Sequence, residues 1–418
     1  MKGIAFTLII LIALVPIVTL LLLDITQQAS RREITNSIKI SEMQNLYNSI
    51  TNDYYKFVQI SLPRAISAAI NYDIETGEGL DDTALRLQEL AVNGSLYGVQ
   101  ENLMNGSTFH DWTNKINTVA STKGFVTNIS ISSISIKPFD SWNILVSVNL
   151  TINITDLDGN FAIVRNATLE RQLPITGFED PAYTLNTLGR ALNIIQKSPY
   201  IGNYTTLIVS GVSSSSWFYG TAVVFPKSNQ AGISAITNKN TKVLVTDDIS
   251  GIENLANSFG AVVIQNPSSG ITVPRVDNAP NAMTLVPNNT NILVDAVNGR
   301  VWYIDNLKDD ISKQYYHPSL NGGSFLDRLE GKLTVQSKYQ AQTLNVIGLD
   351  SFVDKDFLSQ QGLNPNTAQT NIDYLFFSST VYAAYKVKGV EGSFRMDLQN
   401  DLEGKTHADI YNVSQLLE

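Results

Sequence analysis

The chain has 418 residues, enough for two or three domains of ordinary size, and 43% of them are apolar, which excludes wholesale disorder. Charged residues make up 16%, below the usual quarter, and the net charge is −9 with no basic run beyond Arg31-Arg32, so a nucleic-acid partner is excluded. Cysteine is absent and only His110, His317 and His407 are present, which removes disulfides, thiolate chemistry and histidine-rich metal sites.

Ile4 to Leu23 is an uncharged run of 20 residues interrupted by Thr7, Pro16 and Thr19. At about 1.5 Å per residue it is long enough to cross a hydrocarbon core of roughly 30 Å. A cleaved signal peptide is the alternative, but such a segment is shorter and ends in a small-x-small site, whereas this one exits through Leu23-Asp24-Ile25-Thr26. The run reads as an anchor (1–23), and the amide- and hydroxyl-rich remainder places the rest of the chain outside the cytoplasm. Asp24 to Leu62 contains no Gly or Pro. Ile34, Ile38, Met43, Leu46, Ile50, Phe57 and Ile60 recur at mostly helical spacing. This predicts an amphipathic stalk helix over 24–62 that stops before Pro63. Its stripe packs either against the chain's own globular part or, over 34–60, against copies of itself.

Lys2-Gly3, an apolar span and an uninterrupted amphipathic helix leading into β-rich sequence together resemble an archaeal type IV pilin-like surface protein. The resemblance covers about the first 60 residues. It implies processing between Gly3 and Ile4 and a helix that anchors or assembles. The family usually carries Glu at the fifth mature position; this chain has Leu8, so docking through an acid is not implied. Arg165-Asn166-Ala167-Thr168, Gly177-Phe178-Glu179-Asp180-Pro181 and Ser324-Phe325-Leu326-Asp327-Arg328-Leu329-Glu330 resemble uncharacterised archaeal membrane-anchored surface proteins, and imply no activity.

Residues 63–198 are expected to hold helices and an antiparallel sheet. Asp81-Asp82 caps a helix with Leu85, Leu87 and Leu90, which Asn93-Gly94 breaks. Ser107 caps a second, with Phe109, Trp112, Ile116 and Val119 on one face and Gly124 as its stop. From Asn143 to Thr155 apolar residues alternate strictly with Asn, Ser and Thr, the pattern of a strand with one buried and one wet face. Residues 126–175 are therefore an antiparallel sheet. A connector with a short helix near Leu188 follows.

Residues 199–418 read as mixed α/β, with a subdivision near 306–320. Lys242–Thr246, Ile249–Phe259 and Ala261–Gln265 have the spacing of one βαβ unit with a parallel strand pair. Asn291–Ala296 and Arg300–Asp305 form a hairpin around Asn298-Gly299. Tyr374–Phe377 and Ala383–Val387 are read as strands. The fold class is thus α+β: a transmembrane helix continuing into a long amphipathic helix, an antiparallel sheet region, then a mixed α/β region.

The sequence contains no catalytic constellation and implies no cofactor. Asp247 and Asp248 end a predicted parallel strand, where α/β sheets bind ligands, and are the ligand candidates; capping of the following helix is the alternative. Asp156, Asp158 and Asn160 open like a calcium loop, although the later positions fail and an Asp-Gly hairpin turn accounts for them equally. His317 and His407 read as packed or surface histidines. Sequons at Asn93, Asn105, Asn128, Asn149, Asn153, Asn166, Asn203, Asn288 and Asn412 are glycosylation candidates. These readings converge on a non-enzymatic, membrane-anchored surface protein with a structural or adhesive, pilin-like role. The alternative is an ectodomain that binds or processes a small ligand or glycan near Asp247-Asp248.

Overall fold

The computed structural model describes residues 2–200, 204–210, 222–225, 243–246, 262–265, 271–274, 291–295, 300–378, 380–402 and 404–418, with side chains on the first helix from Leu14 onward. The protein is α+β, with a long N-terminal helix and antiparallel sheets. It divides into two compact units, each discontinuous in sequence. The first comprises 1–68, 84–136 and 145–173; the second comprises 69–83, 137–144 and 174–418.

Helix α1 runs from Lys2 to Thr76 without interruption and passes through both Pro16 and Pro63. The expected stop before Pro63 is therefore corrected. A proline inside a helix removes one hydrogen bond and costs about 3 kcal/mol. Here the apolar stripe continues past it: Ala65, Ile66, Ala69 and Ile70 are all buried, and their burial offsets that loss. In the first unit the stripe begins at Met43 and continues through Leu46, Ile50, Tyr54 and Val58, all at most 5% exposed. Ile34, Ile38 and Ile60 stay exposed. Among the described residues no helix is long and apolar enough to cross a membrane.

The stripe faces a three-stranded sheet in the order β3 (Phe125–Asp140), β4 (Asn143–Asp156), β5 (Ala162–Pro174). It follows a two-stranded hairpin of β1 (Ser95–Leu96) and β2 (Val99–Gln100). Ser147 donates to Glu170, Thr168 to Asn149, and Thr151 to Asn166. Each step of two residues up β4 meets a step of two down β5, so the pair is antiparallel. The alternation along β4 holds: Ile144, Val146, Val148, Leu150, Ile152 and Ile154 are buried. A cavity of about 30 Å³ between Tyr54, Val58 and Leu62 of the helix and Ile134, Val146 and Val148 of the sheet marks where the two layers meet.

Helix α2 (Thr83–Asn93) buries Leu87 and Leu90 and leaves Leu85 exposed. Helix α3 (Phe109–Thr122) is capped by Thr108, one residue after the expected Ser107. Thr108 accepts from Asp111 N–H while Asp111 accepts from Thr108 N–H, a reciprocal pair that Ser107 could not form at that spacing. Phe109 and Trp112 are buried, but Ala120 rather than Val119 completes the inner face.

The second unit contains helix α4 (Pro181–Asn186), which precedes rather than includes Leu188. Among the described residues its large sheet has seven strands: β6 (Thr205–Ser210), β7 (Ala222–Phe225), β8 (Val243–Thr246), β9 (Val262–Gln265), β10 (Ile271–Pro274), β11 (Asn291–Asp295) and β12 (Arg300–Tyr303). Their order is β10-β11-β12-β6-β7-β8-β9. The expected parallel pair is present, with Val243 opposite Val262 and Thr246 opposite Gln265. The expected hairpin is present too, Asp295 pairing with Arg300, although the chain turns into helix α5 (Ile304–Lys313) two residues before the predicted strand end. Strand β13 (Tyr316–Ser324), helix α6 (Phe325–Leu329) and strand β14 (Gly348–Ser351) follow. Residues Asp373–Phe376 are helical, correcting the strand expected over Tyr374–Phe377. The aromatic run suits a strand by composition, but Asp373 accepts from the Tyr374 N–H and starts a helical turn. The Ala383–Val387 strand is reduced to Ala384–Tyr385.

Candidate functional site

The first unit carries an open cleft of about 490 Å³ built from three consecutive turns. Helix α2 ends at Asn93 because Gly94 takes the left-handed conformation, φ +72°. The β1–β2 hairpin turns through Tyr97 and Gly98, both at positive φ, and returns the chain at Gln100. A short 3₁₀ helix over Asn102–Met104 leads to a third turn: Asn105 has φ −56° and ψ 123°, Gly106 has φ +72°, and Ser107 N–H donates to Met104 O at 3.0 Å. These values define a type II turn with glycine at the position that needs positive φ. Helix α3 then starts at the capping pair. Met104 and Phe109 form the apolar floor and Asn93, Gln100, Asn105 and His110 the exposed rim. None of these four rim side chains has a hydrogen-bond partner among the described residues. The cleft therefore presents amides and an imidazole to solvent over an apolar base, a surface suited to a small polar ligand.

The second unit holds its ionisable groups in the opposite way, sealed in the core. Arg328 sits at 1% exposure and donates to Asp180, to Asp373 at 3.0 Å, and to the backbone oxygens of Gly323 and Leu349. Tyr316 donates to Asp180 at 2.7 Å and Ser351 to Asp373 at 2.9 Å. Burial pushes the Asp373 carboxyl up, and Arg328 pulls against it. The segments Gly177–Pro181 and Ser324–Glu330, separate in the sequence, meet here, and Phe178 and Phe325 pack ring to ring at 6.1 Å.

Two buried histidines continue this pattern. His317 Nε2 lies 2.9 Å from Asp310 and from the Tyr204 hydroxyl, and its Nδ1 is 3.8 Å from Asp350. Asp350 accepts from the Tyr411 hydroxyl, and burial pushes its carboxyl up to about 7. His407 lies between Asp397 at 2.8 Å and the Tyr374 hydroxyl at 2.9 Å. The Asp397–His407–Tyr374 row has the order of a proton relay, but all three residues are at most 3% exposed and line none of the described clefts. Both histidines are packed; His407 has partners on both ring nitrogens, whereas His317 Nδ1 and Asp310 Oδ1 have no hydrogen-bond partner among the described residues.

A second cleft, about 260 Å³, is lined by Lys308, Asp354, Lys355, Asp356, Glu391 and Ser393 among others. Lys355 is 1% exposed and donates to the backbone oxygens of Thr367, Gln369 and Ser393. Burial and the nearby Arg395 push its ammonium down to about 7, while three carbonyl oxygens occupy all three of its donors. Through these hydrogen bonds the lysine ties three backbone segments together.

The sequence-predicted sites fare differently. Asp156 and Asp158 come together, and the Lys39 ammonium sits between them at 3.0 and 3.1 Å. The Phe161 N–H and Lys39 hold the Asp156 carboxyl below its ordinary range. Asn160 is exposed in the same turn. A side-chain cation thus occupies the place a calcium ion would take. Asp247 and Asp248 lie outside the described residues, directly after β8, as do Asn203 and Asn288. The Gly3–Ile4 peptide lies within α1. Asn128, Asn149 and Asn166 are exposed on the sheet and Asn153 and Asn412 are half-buried, while Asn93 and Asn105 share the cleft rim. Sequence reasoning did not find the Arg328 cluster or Lys355. The only local signal was the Ser324-x-x-Asp327 capping pair beside Arg328.

Compared with protein-family profiles, with characterised proteins and with solved structures, the chain matches none.

Proposed function

We propose that the chain is a membrane-anchored surface protein, held by Ile4–Leu23 with its two units outside the cytoplasm, in a structural or adhesive, non-enzymatic role. The observation that carries this reading is the exposed apolar side of α1. Leu14, Val15, Ile17, Leu20, Leu21, Leu22, Leu23 and Ile25 are all more than half exposed. A continuous apolar helix surface of this kind is covered either by lipid or by other helices. The uninterrupted helix from Lys2 into the core of the first unit supports the pilin-like reading of the N-terminus; processing between Gly3 and Ile4 is part of that reading and rests on the sequence resemblance alone. Within 34–60, Met43, Leu46 and Ile50 are buried in the single chain, while Ile34 and Ile38 are exposed. Self-association, where it occurs, uses the exposed part of α1 up to Ile40. The test is fractionation of native membranes with mass spectrometry of the mature N-terminus. Retention after alkaline wash with an N-terminus at Met1 or Ile4 supports the reading; a soluble protein starting beyond Leu23 overturns it.

A second reading, binding of a small polar ligand or glycan, is favoured by the cleft bounded by Asn93, Gln100, Asn105 and His110. Saturation-transfer NMR with a panel of neutral oligosaccharides tests it. Signal lost on changing Gln100 and His110 to Ala supports it, and no signal from any member of the panel removes it.

A further inference from the structure

We infer that Asn105 is a site of spontaneous backbone modification, converting to aspartate and isoaspartate through a cyclic imide with Gly106. Three Asn-Gly pairs fall among the described residues: Asn93-Gly94, Asn105-Gly106 and Asn321-Gly322. The reaction requires the glycine amide nitrogen to lose its proton to solvent and attack the asparagine Cγ. A C–N bond forms, the side-chain nitrogen leaves as ammonia, and water then opens the five-membered imide at either carbonyl. The net change is amide plus water to carboxylate plus ammonium, with no redox step. Two structural conditions govern its rate: the glycine N–H must be free, and the peptide must be able to rotate toward the side chain.

Only the second pair meets both. Gly94 N–H is held by Leu90 O at 2.9 Å and Gly322 N–H by the Ser319 hydroxyl at 3.0 Å. The Gly106 N–H has no partner among the described residues, as expected for the central peptide of a type II turn. Space discriminates in the same direction. A Cβ placed on Gly94 would meet Gln100 Nε2 and Thr108 Cγ2 at 2.8 Å, and one on Gly322 would meet Leu349 O at 2.1 Å. A Cβ placed on Gly106 would meet nothing within 4 Å, and the hydrogen bond that Lys115 Nζ donates to the Gly106 carbonyl at 2.8 Å falls on the following peptide, so the central peptide of the turn has room to flip. Asn93 and Asn105 also share the tripeptide Asn-Gly-Ser, so a difference in their rates comes from the fold and not from local sequence.

The conversion has two consequences. It places a new carboxylate on the cleft rim near Asp111, changing a largely neutral surface to an acidic one. It also destroys the sequon at Asn105, and a glycan on the same nitrogen blocks it. In the folded chain that sequon is already restrained, because the Ser107 hydroxyl is buried and donates to Met104 O at 2.9 Å.

The test is incubation of the folded, unglycosylated full-length chain in mildly alkaline buffer, followed by peptide mass mapping with isoaspartate detection. Asn105 is expected to convert about ten-fold faster than Asn93 or Asn321, the factor set by a hydrogen bond that must break first at the other two. The same chain unfolded in denaturant is expected to show Asn93 and Asn105 converting at matching rates. Equal rates in the folded chain, or faster conversion at Asn93 or Asn321, overturn the inference. So does a difference between Asn93 and Asn105 that persists after unfolding.

Discussion

The Arg328 guanidinium donates to the Asp180 carboxylate across 148 residues of chain, with both side chains at most 2% exposed. Asp180 is also the N-cap of α4, where it accepts from Ala182 N–H, so one carboxylate starts a helix and neutralises a buried cation. Asp373 takes a second position on the same guanidinium nitrogen and receives Ser351 as well. Removing the guanidinium leaves two buried carboxylates without their counter-charge. Arg328→Met is expected to destabilise the second unit by about 3–5 kcal/mol. Arg328→Lys restores the charge but not the fork that also reaches Gly323 and Leu349, and is expected to recover only part of the loss. Equilibrium denaturation of both variants checks this. Arg165→Ala, which removes an exposed contact over the Tyr47 ring, is expected to change stability by less than about 1 kcal/mol.

That pairing also shows what the sequence could and could not reveal. The sheet was legible because Ile144 to Ile154 alternate within one strand, a purely local signal. The long helix was legible for the same reason, but its passage through Pro63 was not, since that depends on what Ala65 and Ile66 bury. The parallel pair of β8 and β9 could be read from spacing, while the helical turn at Asp373 overrode an aromatic run that favours a strand. In Arg328, Asp180 and Asp373 the sequence shows three ordinary charged residues. Only the meeting of segments far apart in the chain makes them a buried cluster, and no periodicity announces it. At the cleft, Asn93 and Asn105 stood out as sequons, whereas the three successive turns that bring them to one rim did not.

Asp73 provides a pH-dependent test in the second unit. It is fully buried, and neither carboxyl oxygen has a hydrogen-bond partner among the described residues. Burial pushes its carboxyl from 3.8 up to about 8. The folded state therefore holds this proton over a range in which the unfolded chain has released it. Its favourable contribution is complete below the unfolded value and is lost as pH rises through about 8. Stability is expected to fall over that window by an amount on the order of a few kcal/mol. Asp73→Asn is expected to match the parent in acid and exceed it in alkali. Parallel pH profiles for the two proteins would show that Asp73 ionises in the fold at little cost.

Lys39 and Asp156 yield a metal test. With the ammonium at 3.0 Å from Asp156 and 3.1 Å from Asp158, a divalent cation would have to displace it against like-charge repulsion. Millimolar calcium is expected to leave the melting temperature unchanged in the parent. Lys39→Met removes the ammonium and leaves two carboxylates converging, so any calcium-dependent rise in melting temperature is expected in that variant alone. A rise in the parent would show that the ion competes successfully with Lys39.

The last prediction separates the two parts of α1. Leu46 and Ile50 are 5% and 1% exposed, one helical turn apart, and lie on the stripe that faces β4. Changing both to Asp puts two carboxylates into an apolar layer with no cation to meet them, a cost of several kcal/mol that the first unit cannot absorb. The unit is expected to unfold, with loss of near-ultraviolet circular dichroism from Trp112, which packs against Tyr54 and Phe57 on the same helix. The same double change at Ile34 and Ile38 falls on side chains that are 58% and 53% exposed. There the melting temperature is expected to hold while detergent-dependent association, if mediated by this face, is lost. If Leu46→Asp with Ile50→Asp leaves the fold intact and abolishes association instead, the stripe from Met43 onward is an interface between copies and not part of the core.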